Sequence, residues 1–383
     1  MNPTVTKNIE TAQAWLREKV FPLWKEKGID SYTGSFVEAL SLEGEPLDKP
    51  RRGMVQARQI YSFHTGMNLG CCPEETARNI IDDGVDSMLK NYPLESGAFI
   101  HSVNPDGTPN NTELPLYTQA FALFGLANAY VVSPEAKLKD HAIAVLDYLQ
   151  KERRASGGGY TEIENGEAVL RSNPHMHLLE AALAWRKTDP DPRWKELSEE
   201  VLDLCLDKFI DPLTGGLCEI FSEGWEPVRT DGHFYFEPGH HYEWSWLMMV
   251  FEEISGRDLS ETRNKLFRLA EDVGLSPKGN AIDEVWSNGE AKKTSSRFWP
   301  QGERLKAAVR MGSHAPQADR TALALAADTA FEALSRFLET PTPGLWRDTL
   351  LESGEFREEP AKASSLYHII NAFEEYILLR PNF

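Results

Sequence analysis

What the chain lacks narrows the field first. Cysteine is scarce: 383 residues hold four, Cys71, Cys72, Cys205 and Cys218. They form no Cys-x-x-Cys pair and no Cys/His cluster, so neither a disulfide framework nor a zinc site is suggested, and a reducing, cytoplasmic setting fits. Positive charge is in deficit, with 40 Lys and Arg against 59 Asp and Glu and a net charge of −19. An acidic surface of that size disfavours nucleic acid and anionic membranes as partners. Long apolar runs are missing too. The richest, 120–132, is interrupted by Asn128 and is too short to span a bilayer. The first residues carry no apolar signal region. There is no Gly-x-x-x-x-Gly-Lys-Ser/Thr loop to cradle a nucleotide and no His-Glu-x-x-His metal motif. No Gly/Ser-rich linker divides the chain, so one domain over residues 1–383 is expected.

What is present is a repeat. Segments 35–44, 98–107, 159–166, 216–224, 281–289 and 344–354 each alternate apolar and polar residues and then meet a glycine. That pattern predicts six small β-hairpins. The closing glycines, Gly44, Gly107, Gly166, Gly224, Gly289 and Gly354, lie 58 to 65 residues apart. Between them, apolar residues recur at three- and four-residue spacing, which predicts helices. These fall at 11–26, 52–69, 73–91, 114–132, 134–151, 173–186, 193–209, 238–254, 259–273, 300–309, 319–338 and 362–379. A period near sixty residues, read as helix, hairpin, helix, implies an internal repeat. Six helical pairs bury their apolar faces by closing into a ring, one helix of each pair inside and one outside. The expected fold is therefore all-α, an (α/α)6 barrel with short β-hairpins gathered at one end. An open solenoid of helical pairs is the competing architecture.

The hairpins lead into the helices that follow them, so a cleft at that end would be lined by helix starts. The stretch Phe234-Tyr-Phe-Glu-Pro-Gly-His-His-Tyr-Glu-Trp-Ser-Trp246 is the densest of these starts. It places His240 and Glu243 three residues apart, on one face of a helix. A histidine beside a carboxylate suits proton transfer; the plain alternative is a core-facing helix with a satisfied histidine. Arg58 sits on an otherwise apolar helix and needs a partner, either a structural ion pair or a substrate oxygen. Tyr117 opens another helix and reads equally as a packed aromatic. Asn173 is expected to cap its helix, with Pro174 at the first position and His177 four residues on. His175 and His177, two apart, point to different faces and make a poor metal pair. Trp299 either stacks on a sugar ring or closes a loop. His368 comes from the last helix, and two imidazoles facing one substrate could remove a proton and return it.

These motifs resemble the N-acylglucosamine 2-epimerase superfamily. The resemblance is carried by Ala57-Arg-Gln-Ile-Tyr-Ser-Phe, Leu116-Tyr-Thr-Gln-Ala-Phe, Asn173-Pro-His-Met-His-Leu-Leu-Glu-Ala, Glu237-Pro-Gly-His-His-Tyr-Glu-Trp-Ser-Trp, Arg297-Phe-Trp-Pro-Gln-Gly-Glu and Leu366-Tyr-His. It implies the same (α/α)6 barrel, with His240 and His368 as the acid/base pair. Glu243 would orient and polarise the histidine chemistry, and Arg58 would hold the reacting oxygens. Tyr117, Asn173, His177 and Trp299 would line the sugar site. Phe298 departs from the pattern, since relatives often carry a first tryptophan there. The resemblance implies no metal and no cofactor, a monosaccharide as the partner, and a monomer or homodimer.

The chemistry so implied starts at the C2 proton of an open-chain aldose, acidified by its carbonyl. Aldose–ketose isomerisation, of mannose to fructose or a similar pair, returns a proton to C1. Epimerisation returns it to the other face of C2, and the same residues serve both. A glycoside hydrolase on this barrel would need two carboxylates across a bond; Glu243 and Glu303 are available, but a histidine-rich wall is not what that chemistry requires. A non-catalytic binding role is the remaining alternative.

Overall fold

The computed structural model describes residues 3–383. α1 (Pro3–Trp15) continues through a π turn (Leu16–Val20) into α2 (Phe21–Lys27). There follow α3 (Gly53–Asn68), α4 (Glu74–Asn91), α5 (Leu116–Val132), α6 (Ala136–Glu152), α7 (Ser172–Thr188) and α8 (Pro192–Leu204). The chain ends with α9 (Pro238–Ser255), α10 (Ser260–Val273), α11 (Phe298–His314), α12 (Gln317–Phe337) and α13 (Leu366–Leu379). From α3 onward each odd-numbered helix packs on the next, and α13 returns to α3, so an inner ring closes. Outside it α4 lies on α3, α6 on α5, α8 on α7, α10 on α9, α12 on α11 and α1 on α13. This closed ring of pairs is the (α/α)6 barrel, and the closure excludes the open solenoid. Among the described residues no helix is long and apolar enough to cross a membrane.

Burial explains which helix goes where. In α5, 14 of 17 residues are buried, as an apolar surface on all sides demands. In α10 only Leu266, Phe267 and Ala270 are buried, a single stripe facing α9. The four cysteines are all buried and unpaired.

The six hairpin glycines take positive φ, from 73° at Gly224 to 91° at Gly44, a region that favours glycine. The hairpins also knit the repeats together. The strand entering an inner helix pairs with the hairpin of the next repeat: Arg51–Arg52 with Ser102–Val103, Leu170 and Arg171 with Phe221 and Ile220, and Ser296–Arg297 with Thr349–Leu350. Ala39–Leu40 pairs with Ala361–Lys362, so the first and last repeats join in the same way.

A side-chain latch recurs at the start of five inner helices. Gln56 accepts from the Phe36 amide and donates to the Phe36 carbonyl. Gln119 does the same to Phe99, and Gln301 to Ala281. In α7 and α9 a histidine replaces the glutamine: Nε2 of His175 accepts from the Tyr160 amide at 2.9 Å, and Nε2 of His241 from the Leu217 amide at 3.2 Å. Their Nδ1 atoms face the carbonyls of Arg171 and Glu237, so each ring is neutral with its proton on Nδ1. Burial fits this, holding His175 down at about 4 and His241 at about 3.

Several boundaries differ from the sequence expectations; the helix expected at 11–26 starts at Pro3 and passes through the π turn Leu16–Val20, and that expected at 362–379 starts at Leu366 after the strand Ala361–Lys362. The cap of α7 is Arg171, not Asn173, because the hairpin strand runs straight into the helix; Asn173 lies in the first turn. The helix expected at 193–209 breaks at Cys205 into a π turn, Cys205–Phe209. The helix expected at 300–309 runs from Phe298 to His314, since Pro300 in the first turn removes an N–H that has no intrahelical partner.

Candidate active site

All eight residues singled out in the sequence line one cavity of about 250 Å³ at the hairpin end of the ring. They come from the first two turns of all six inner helices: Arg58 on α3, Tyr117 on α5, Asn173 and His177 on α7, His240 and Glu243 on α9, Trp299 on α11, His368 on α13. Helix starts carry partial positive charge, so the ring directs six of them toward any anion formed there.

Trp299 lies against both catalytic candidates. Its ring centroid is 5.0 Å from that of His240 and 5.7 Å from that of His368. Gly239 makes this possible, because a Cβ there would sit 2.5 Å from the indole. Phe298 points elsewhere, buried against Phe337, so the departure at that position does not touch the cavity.

Each imidazole has its own carboxylate. Nδ1 of His240 lies 2.9 Å from both oxygens of Glu219, and Nδ1 of His368 lies 2.7 Å from Glu303. Glu219 also accepts from the Ser172 hydroxyl and the Glu237 amide. The two pairs are tuned apart. Burial opposes charge on His240, but Glu219 and then Glu237 outweigh it and hold the ring at about 9. Burial wins at His368, aided by Arg58, and pushes it down to about 4. Lys306, fully buried, lies 2.6 Å from Glu303. Burial alone would raise Glu303, but Lys306 and His368 hold it well down. At neutral pH His240 is thus an imidazolium and His368 a neutral imidazole, its Nδ1 proton held by Glu303 and its lone pair on Nε2.

Glu243, the carboxylate expected to orient and polarise the histidine chemistry, makes no hydrogen bond to either imidazole. Glu243 has both oxygens buried and without a hydrogen-bond partner, and burial together with Glu303 raises it well above the usual range. The orienting contacts belong to Glu219 and Glu303. Sequence reading missed Glu219 entirely and noted Glu303 only as a carboxylate. A signal for Glu219 was present: it stands at the same repeat position as Glu38, His101, Glu162, Asp283 and Asp348.

Arg58 makes no ion pair among the described residues. It donates to the Ser364 carbonyl at 3.1 Å and the Tyr117 hydroxyl at 2.7 Å, stacks over Phe121 at 4.2 Å, and leaves Nε unpartnered. Asn173 keeps its Oδ1 without a partner. His177 is buried, 3.2 Å from Glu180, and burial lowers it to about 4. His175 faces the hairpin, so the two histidines diverge as their spacing requires.

Residues 34–372 match the N-acylglucosamine 2-epimerase (GlcNAc 2-epimerase) family. The chain belongs to that family. It is a sugar isomerase or epimerase, an enzyme acting on carbohydrates. It is 34% identical to the mannose-6-phosphate isomerase of Rhizobium meliloti, over 94% of each chain. Cellobiose 2-epimerase from Bacillus thermoamylovorans superposes with a TM-score of 0.87 at 17% identity, covering 97% of this chain and 99% of that one. A D-mannose isomerase superposes at 0.84 with 18% identity, covering 98% of both. At such identities the two structures speak to the fold alone.

Proposed function

We propose that this family member is an aldose–ketose isomerase acting on free D-mannose, or an aldose like it such as lyxose, to give the matching ketose. The observation that carries the proposal is the pair of imidazoles packed against one indole, each with its Nδ1 held by its own carboxylate. Neutral His368 takes the C2 proton of the open-chain aldose while His240 protonates O1, giving a cis-enediol. His368, once its proton has exchanged with solvent, delivers a proton to C1, and His240 recovers one from O2 as the C2 carbonyl forms. Arg58 and the six helix starts stabilise negative charge that develops on the oxygens, a contact stronger in the transition state than in the ground state. Trp299 offers an apolar face to the sugar. No step requires a metal or cofactor.

The charge at the mouth supports a free sugar. The cations there are Arg171, Arg297 and Lys362, and each is already held by carboxylates: Glu164, Glu237 with Asp283, and Asp348 with Glu359. A phosphate at the mouth would meet only these paired cations among the described residues and would face Glu113, Glu162 and Glu237, while Arg58, whose charge is uncommitted, is buried within the cavity wall. The Rhizobium relative, named for a phosphorylated sugar, is the contrast. Its 34% identity also favours isomerisation over 2-epimerisation, since cellobiose 2-epimerase from Dictyoglomus turgidum is 24% identical over 76% of the chain. A panel of free and phosphorylated aldoses and ketoses, assayed with EDTA and scored for product, tests the proposal. Turnover confined to phosphosugars, or products confined to C2 epimers, contradicts it.

A further inference from the structure

We infer that His177, Glu180 and Glu243 form a binding site for a divalent first-row metal ion, reached from the cavity through its His177 and Glu243 wall. His177 and Glu180 lie three residues apart on α7, and Glu243 reaches them from α9. Nδ1 of His177 is 3.2 Å from Glu180 Oε2 and 3.8 Å from Glu243 Oε1. One donor atom from each residue lies within 4.8 Å of the other two. The three side chains are 3%, 5% and 1% exposed, and both oxygens of Glu243 lack any hydrogen-bond partner. An almost fully buried carboxyl with nothing to bond is costly, and a cation that displaced its proton to solvent and bridged it to His177 would satisfy it.

The spacing suits the ion. Zinc bonds nitrogen and carboxylate oxygen at about 2.0–2.2 Å in a tetrahedron, which puts ligand atoms roughly 3.3–3.5 Å apart. The observed 3.2 and 3.8 Å require only small shifts, and the Glu180–Glu243 pair, within 4.8 Å, closes by up to about 1.5 Å. Three protein ligands leave a fourth position open toward the cavity that His177 and Glu243 line. The ion would therefore engage His177 and Glu243, which the sugar needs, so the site is inhibitory, a consequence that rests on the proposed sugar chemistry. Occupancy itself does not. Tyr367 already donates to Glu180, which holds that carboxylate in place from outside the three ligands.

The test is calorimetric titration of EDTA-stripped protein with Zn²⁺, repeated with Co²⁺ for its visible absorption bands. One saturable equivalent is expected. Glu243→Gln and His177→Asn, each checked by circular dichroism, should weaken binding about tenfold or more and abolish the cobalt bands. His314→Ala, which removes a surface histidine 3.9 Å from Glu253, should change neither. Absence of saturable binding, binding indifferent to both cavity variants, or loss with His314→Ala overturns the site. Binding without sugar turnover would retain the site and remove the isomerase, whereas turnover without binding does the reverse.

Discussion

Both carboxylate oxygens of Glu219 lie 2.9 Å from Nδ1 of His240. This contact between a hairpin and a helix start sets the charge of the acid in the proposed reaction. Glu219→Gln keeps the shape and removes the charge. The expected result is a fall in kcat of about 10²-fold, the lower end of what one positioned proton-transfer group contributes. The pH above which activity fades should move down from about 9 toward the ordinary histidine value of 6.5. Unchanged alkaline behaviour would separate Glu219 from the chemistry.

The two shifts together fix a pH profile. Activity needs His368 neutral and His240 protonated. His368 is lowered to about 4, so it is charged, and the enzyme idle, below that pH. His240 is raised to about 9, so its proton is lost above that. The dependence of kcat/KM on pH should be a broad plateau with limbs near these values, which belong to the free enzyme. A narrow bell centred near 6.5 would contradict the assignment.

Arg58 holds its guanidinium with a hydroxyl and a carbonyl and has no carboxylate, so its charge is uncommitted. Arg58→Lys should leave the fold intact by circular dichroism and lower kcat about 10²–10³-fold, the scale of losing one oxyanion donor. An effect on stability alone would make the arginine structural.

The latch histidines carry a stability prediction with a definite sign. His241 is held neutral in the fold, at about 3 against an ordinary 6.5. The unfolded chain therefore binds the proton more readily, and stability present above 6.5 is lost as pH falls toward 3. Glutamine fills the same role at 56, 119 and 301. His241→Gln should retain near-normal activity at pH 7 and lose less melting temperature than the parent between pH 7 and pH 4. Equal losses in both proteins would show that the latch does not titrate.

These residues mark how far the sequence could be read. Glycine spacing and helical periodicity reveal the ring, because each repeat must bury the same faces. The eight candidates meet in one cavity because a repeat brings corresponding positions to one end. The partners of the histidines escaped for different reasons. Glu219 stands in an alternating hairpin, where an acid looks solvated, and only the register of six repeats marks it. Glu303 meets His368 across 65 residues, a contact created by packing α13 against α11. His241 beside His240 looks like a second catalytic histidine until the latch shows what it bonds. Asn173 looked like a cap because Pro174 follows it; the hairpin strand pre-empts that place.

The most direct test follows mannose in deuterated water by NMR, with EDTA present and with His368→Gln as a control. The two-imidazole account predicts fructose carrying deuterium at C1, and no turnover in the control. Appearance of glucose alone, labelled at C2, or full turnover by the control, would contradict it.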